Sequence, residues 1–309
     1  MATATRKSFG QALAELGGRD ERIVVLDADL SKSTMSKLFA EKYPSRFFEM
    51  GIQEANMIGA AAGLALAGRK PFICSFACFL TGRYDIIRMS VAYTRAPVRI
   101  VGTHAGIGIG EDGNSQMGLE DIGLMRGLPG MNVFQPADDI ETKQVVGWMA
   151  EHDEPSYLRL TRQDVDDVNG PSYVFHYGKM VELASGTDVT IMASGGTVGP
   201  AVKAAGLLKR NGISAAVVNV PTLKPIDREA VIRYATSTGH IVTVEDHNII
   251  GGLGSAVAEV MAESGTGRLT RHGLRDVFGE SGAYSDLYRK YRLDPEGISS
   301  VVAEAIRKK

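Results

Sequence analysis

Glu54-Ala55-Asn56-Met57-Ile58-Gly59-Ala60-Ala61-Ala62-Gly63-Leu64-Ala65-Leu66, with Pro71-Phe72-Ile73 close behind, sets a helical pattern directly before a strand-like one. The alternation continues on both sides. Strand-like runs occupy 23–26, 71–73, 98–101 and 157–160, and helical periods fall at 54–67, 85–93 and 138–149. This is the pattern of α/β architecture with mostly parallel, helix-covered sheets. A polar stretch, Asp164-Val165-Asp166-Asp167-Val168-Asn169-Gly170-Pro171, breaks the rhythm with Asn-Gly-Pro turn chemistry. Strand-like runs resume at 189–192, 215–218 and 241–244, and an amphipathic helix over 294–307 closes the chain. The reading is two α/β domains, residues 1–165 and 186–309, joined by a linker at 166–185.

Composition narrows the class. A chain of 309 residues exceeds one typical hydrophobic core, which agrees with two domains. Hydrophobic residues at 44% and charged residues at 23% are ordinary for a soluble globular protein. The net charge of −2, without a block of like charges, points to neither nucleic acid nor a membrane surface as partner. Met1-Ala2-Thr3-Ala4-Thr5-Arg6-Lys7 lacks the apolar core of a signal peptide, and no apolar run reaches spanning length, so a cytoplasmic protein is expected. The two cysteines, Cys74 and Cys78, are too few for a disulfide framework or a four-ligand zinc site and read as buried thiols.

Glu54 is the anomaly in its own segment. A carboxylate among small and apolar residues needs a hydrogen-bond donor or a proton-transfer task. Its plainer role is to interact with the free N–H groups of a helix start. Three glycine-rich loops invite a nucleotide-binding reading. Ser194-Gly195-Gly196-Thr197-Val198-Gly199 fails it, because Ser194 takes the first glycine position and the next strand ends in Asn219, not in an acid. In Glu245-Asp246-His247-Asn248-Ile249-Ile250-Gly251-Gly252-Leu253-Gly254 the glycines suit a tight strand-to-helix turn, with anion binding as the lesser use. His104-Ala105-Gly106-Ile107-Gly108-Ile109-Gly110-Glu111-Asp112-Gly113-Asn114-Ser115-Gln116 carries acids where a phosphate cradle wants bare backbone, and reads as a polar active-site loop.

Gly51-Ile52-Gln53-Glu54-Ala55-Asn56-Met57, Phe76-Ala77-Cys78-Phe79 with Arg83 and Asp85, Gly102-Thr103-His104, Gly110-Glu111-Asp112-Gly113, Met125-Arg126 and Gln135-Pro136-Ala137-Asp138 together resemble the pyrimidine-binding domain of transketolase, across roughly 4–165. The Glu245–Gly254 loop resembles the transketolase C-terminal domain. The resemblance implies thiamine diphosphate as cofactor. It gives Glu54 the role of a carboxyl that shares a proton with the aminopyrimidine N1′, so that the neighbouring nitrogen can deprotonate the thiazolium C2. Phe79 takes the position of the ring that stacks on the pyrimidine, with Phe76 beside it or simply in the core, and Arg83 falls in the same cofactor segment. By the same resemblance Arg6, Ser33, His104 and Arg162 hold the substrate phosphate, where the planar fork of arginine suits paired phosphate oxygens. Asp112 matches an aspartate that bonds a substrate hydroxyl, and Asp29 lines the channel; the alternative for either Asp27 or Asp29 is a loop cap. Gln116 stands where a donor-binding histidine is expected; it can hydrogen-bond a ketose oxygen but cannot carry the proton. Without the resemblance, Arg6 reads as a solvated charge and His104 as a bonded loop histidine.

No Gly-Asp-Gly occurs in the chain, and in this family that motif holds the metal that binds the diphosphate. The resemblance therefore implies the C-terminal subunit of a split transketolase, transferring a two-carbon ketol unit between phosphorylated sugars. Its Mg²⁺ ligands are expected on an N-terminal partner subunit in an α2β2 assembly. The rival readings are the β subunit of a 2-oxo acid dehydrogenase E1, a 1-deoxyxylulose-5-phosphate synthase relative, and a non-catalytic regulatory subunit.

Overall fold

Apolar runs with little alternation suit strands buried on both faces, and the computed structural model, which describes residues 2–307, uses them that way. In the first half, β1 (Ile23–Asp27), β2 (Phe47–Glu49), β3 (Lys70–Phe76), β4 (Arg99–Thr103), β5 (Asn132–Phe134) and β6 (Ser156–Arg159) are parallel, in the order β5-β6-β4-β3-β1-β2. Every residue of β1, β3 and β4 is buried. In the second half, β7 (Val181–Ala184), β8 (Val189–Ala193) and β9 (Ala215–Asn219) begin a second sheet. The next strand, β10 (Thr222–Lys224), leaves it and pairs antiparallel with β5, becoming an edge of the first sheet. The second sheet is completed by β11 (His240–Asn248) and β12 (Arg268–Leu274) in the order β12-β11-β8-β9-β7, with only β7 antiparallel to its neighbour. Two α/β units with mostly parallel, helix-covered sheets are thus present, as the alternation implies. The segment read as linker, 166–185, contains β7.

The quoted helical segment forms the helix Glu54–Leu66. Met57, Ile58, Ala61, Ala62 and Ala65 lie on its buried face, at the three- and four-residue spacing of a helical stripe. Burial of Met57 and Ile58 contributes about 1.5–3 kcal/mol each. Residues 85–93 are a short helix, Tyr84–Ile86, running into a π-helical stretch, Ile87–Ala92. The helix Asp139–Glu151 starts where Asp138 caps the Glu141 N–H at 2.9 Å. Pro295–Arg307 closes the chain.

The halves are packed tightly together. Ile122 and Met125 belong to one apolar cluster with Leu253 and Val257. At Gly123 and Gly251 the chains meet backbone to backbone, and a Cβ on Gly251 would lie 2.9 Å from the Gly123 Cα. Buried Arg159 donates to the Asp121 carboxylate at 2.8 Å and, across the interface, to the Asp246 carbonyl at 2.9 Å. No helix among the described residues is long and apolar enough to cross a membrane.

Candidate active site

Three parallel strands end side by side, and the segments that leave them carry the chemistry. Asp27 closes β1, Phe76 closes β3 and His104 follows β4. Crevices outside the carboxyl ends of strands are where open α/β sheets bind ligands. Glu54 is the first residue of its helix, the position of the plain helix-start role, yet its side chain is buried and Oε1 accepts the Ser75 hydroxyl of β3 at 3.1 Å. It lines a cavity of about 410 Å³ with Leu30, Ile52, Phe79, Arg83 and Asp29. That size falls in the range of small-molecule sites, and the walls are mostly apolar. A buried carboxyl, one aromatic ring and apolar walls fit a flat, hydrogen-bonding heterocycle such as an aminopyrimidine.

Phe79 lines this cavity and Phe76 does not. The two rings stack with centroids 5.5 Å apart, and Phe76 stacks in turn on the His104 imidazole at 3.8 Å. Phe76 is thereby a buried spacer between the cavity and a basic cluster. In that cluster Arg6 donates to the Ser33 carbonyl at 2.6 Å and lies 3.3 Å from His104 Nε2. An arginine can only donate, so Nε2 accepts and Nδ1 carries the ring proton toward Thr103 Oγ1 at 2.9 Å. Burial, then the charges of Arg6 and Arg162, push the His104 pKa down to about 3, so the imidazole is neutral near pH 7. Burial and the nearby Arg162 also lower the Arg6 pKa. Two guanidiniums that repel one another beside a neutral histidine favour an anion between them.

Asp112 and Gln116 sit on the loop beyond His104, Asp112 exposed and Gln116 partly so. Asp29 lies at the cavity with a left-handed φ of 62°, its N–H bonded to Glu49 Oε1 at 2.7 Å. The choice between Asp27 and Asp29 as cap is resolved: buried Asp27 accepts Leu30 N–H at 2.7 Å, Thr34 Oγ1 at 2.7 Å and Ser36 Oγ at 2.8 Å. Burial raises its pKa to about 6. Arg83 is exposed at the cavity rim. Among the described residues no group of three or more His, Cys, Asp or Glu side chains is arranged to hold a metal ion.

Sequence reasoning missed Ser75, Thr103 and the second half's contribution. Asp246 of β11 accepts the Ile107 N–H at 2.8 Å, inside the polar loop. Its signal was an acidic pair beside a histidine, Glu245-Asp246-His247, at the end of an apolar run. Glu245 explains the glycine turn there: its carboxylate accepts the Leu253 and Gly254 N–H groups at 2.7 and 2.9 Å, and a Cβ on Gly252 would overlap it. The start of the helix Leu253–Ser264 is thus occupied by the protein's own carboxylate.

Such a pair of sheets, with a carboxyl and a ring at the first sheet's strand ends, defines a pyrimidine-binding domain followed by a C-terminal domain of the transketolase type. Residues 1–167 match the transketolase pyrimidine-binding domain and 178–298 the transketolase C-terminal domain. The chain belongs to the transketolase family. It is 48% identical over 98% of its length to 96% of a protein of Methanocaldococcus jannaschii provisionally named a transketolase C-terminal section. It is 41% identical, over 98% of its length and 95% of the relative, to the 6-deoxy-6-sulfo-D-fructose transketolase subunit SqwH of Clostridium sp. (strain MSTE9). A solved split-gene transketolase, an inactive β4 tetramer, superposes with a TM-score of 0.91 at 46% identity, covering 98% of each chain.

Proposed function

We propose that this chain is the C-terminal subunit of a divided transketolase, moving a two-carbon ketol unit between phosphorylated sugars. A partner N-terminal subunit would hold the diphosphate of thiamine diphosphate and its Mg²⁺, in an α2β2 assembly. The observation that carries the reading is Glu54, a buried carboxyl on an apolar, Phe79-walled cavity. When bound, thiamine diphosphate would supply an aminopyrimidine nitrogen that exchanges a proton and a thiazolium carbon that attacks the ketose carbonyl.

The chain's own residues act around that chemistry. Glu54, oriented by the Ser75 hydroxyl, holds a proton opposite the pyrimidine nitrogen. Phe79 covers one ring face and, with Leu30 and Ile52, keeps water from the carboxyl. Arg6, Ser33, His104 and Arg162 hold the sugar phosphate, with His104 acting as a neutral hydrogen-bonding group. Asp112 and Gln116, on the loop beside them, bond substrate oxygens. A partner is supported by the lack of Gly-Asp-Gly in this sequence and by relatives named as a section, a subunit and a split-gene product.

The test mixes this chain with a chain carrying Gly-Asp-Gly, thiamine diphosphate and Mg²⁺, and follows ketol transfer from xylulose 5-phosphate against pyruvate decarboxylation. Ketol transfer that neither chain shows alone is expected. Full activity of this chain by itself would overturn the divided arrangement. Glu54→Gln should lower turnover by about 10²-fold or more while leaving assembly intact, in keeping with the scale of general acid–base catalysis.

A further inference from the structure

We propose that Asp246 and Tyr288, both from the C-terminal half, are positioning residues that hold the phosphate-binding loop and the Arg162 segment in a single geometry. The proposal rests on the phosphate-binding reading above. Asp246 is 3% exposed and points into the first half, where Oδ1 accepts the Ile107 N–H at 2.8 Å and Oδ2 the Gly108 N–H at 3.4 Å. The Tyr288 hydroxyl donates to Oδ2 at 3.0 Å and accepts Gln163 Nε2 at 3.1 Å. Arg162, next to Gln163, donates to the Ile109 carbonyl and to Glu111 Oε2, the latter at 3.2 Å. The contacts close a ring: Asp246 to the loop, the loop to Arg162, Gln163 to Tyr288, and Tyr288 back to Asp246.

The loop needs such a tie. His104, Gly106, Gly110 and Gly113 have φ of 57°, 80°, 79° and 79°, conformations that local preference alone does not hold. Gly106 and Gly108 are glycines because a Cβ on either would overlap the Asp246 carboxylate or the Gln163 amide. Arg159 fixes the base of the clamp by donating to the Asp246 carbonyl at 2.9 Å. His104 opens the held loop and Arg162 is bonded to its Ile109 carbonyl, so the second domain sets the spacing of these two phosphate-binding groups without touching substrate.

The test compares the wild-type chain with Tyr288→Phe, which removes only the hydroxyl, and with Asp246→Asn. Amide hydrogen exchange at Ile107 and Gly108 should quicken by about tenfold or more, the scale of one lost hydrogen bond. Inorganic phosphate should bind about tenfold more weakly, about 1.4 kcal/mol. In the reconstituted complex the KM of a phosphorylated ketose should rise about tenfold with kcat within about twofold, and an unphosphorylated ketose should be handled as by wild type. Wild-type exchange and phosphate affinity in both variants would overturn the proposal, as would equal losses on phosphorylated and unphosphorylated ketoses. If the wild-type complex transfers no ketol unit, the activity reading fails by itself, and exchange and phosphate titration still decide the clamp.

Discussion

The hydroxyl of Ser75 fixes the orientation of a helix-start glutamate, because it bonds one oxygen of Glu54 from the neighbouring strand. Glu54 was legible in the sequence because a carboxylate in an apolar run is conspicuous. Its partner was not, since a serine within Phe72-Ile73-Cys74-Ser75-Phe76 carries no mark of its task. Arg6 and His104 are 98 positions apart and meet at 3.3 Å, which spacing cannot reveal; only the family resemblance grouped them. Arg162 is the arginine whose loss should be felt most selectively. Arg162→Ala is expected to raise KM for phosphorylated sugars by about tenfold or more with little change in kcat, as steady-state kinetics on both donor classes will show. An equal fall in kcat for unphosphorylated donors would instead assign Arg162 to the chemical step.

At the scale of elements, strands carrying continuous apolar runs were readable, and β1, β3, β4, β6, β8, β9 and β11 fall where those runs lie. The strands β2, β5 and β10 have three residues each, too short for a period, and β12 reads Arg-Leu-Thr-Arg-His-Gly-Leu, too polar to resemble a buried strand. The π-helical stretch Ile87–Ala92 looks in sequence like ordinary helix, because the shift in hydrogen bonding leaves little trace in composition. The turn after β1 is a sharper case. Its buried Asp27 serves the Leu30, Thr34 and Ser36 donors, so one carboxylate organises the segment that presents Asp29 and Leu30 to the cavity. Asp27→Ala should cost about 3 kcal/mol in urea unfolding, because it leaves buried donors without an acceptor. A loss within about 0.5 kcal/mol, the size of a surface change, would show that the turn holds itself.

For the molecule as a whole, acidity is the informative variable. Burial pushes His247 down to about 4 and His104 down to about 3, both from 6.5. Each is neutral in the folded chain and takes up a proton at higher pH when unfolded, so its contribution is intact above pH 6.5 and lost as pH falls toward 4. Glu141 and Glu245, raised to about 7 by burial, act in the opposite sense, favouring the unfolded chain as pH rises from 4.5. Comparing wild type with His247→Asn isolates the histidine: the stability difference should change by roughly 2–3 kcal/mol between pH 6.5 and 4, read by thermal melting. A constant difference would place His247 outside the acid response. The two-domain plan was legible from the pause at 164–171; the exchange of β10 was not, since it joins Thr222 to Phe134. That exchange reaches into how such a chain can be divided. Lys224 at its end also donates to the Arg126 and Leu128 carbonyls, so a fragment cut at the apparent junction would lose a rim of its own scaffold and leave β5 open to pairing with a stranger. The two halves of this chain therefore have to be inherited as one piece.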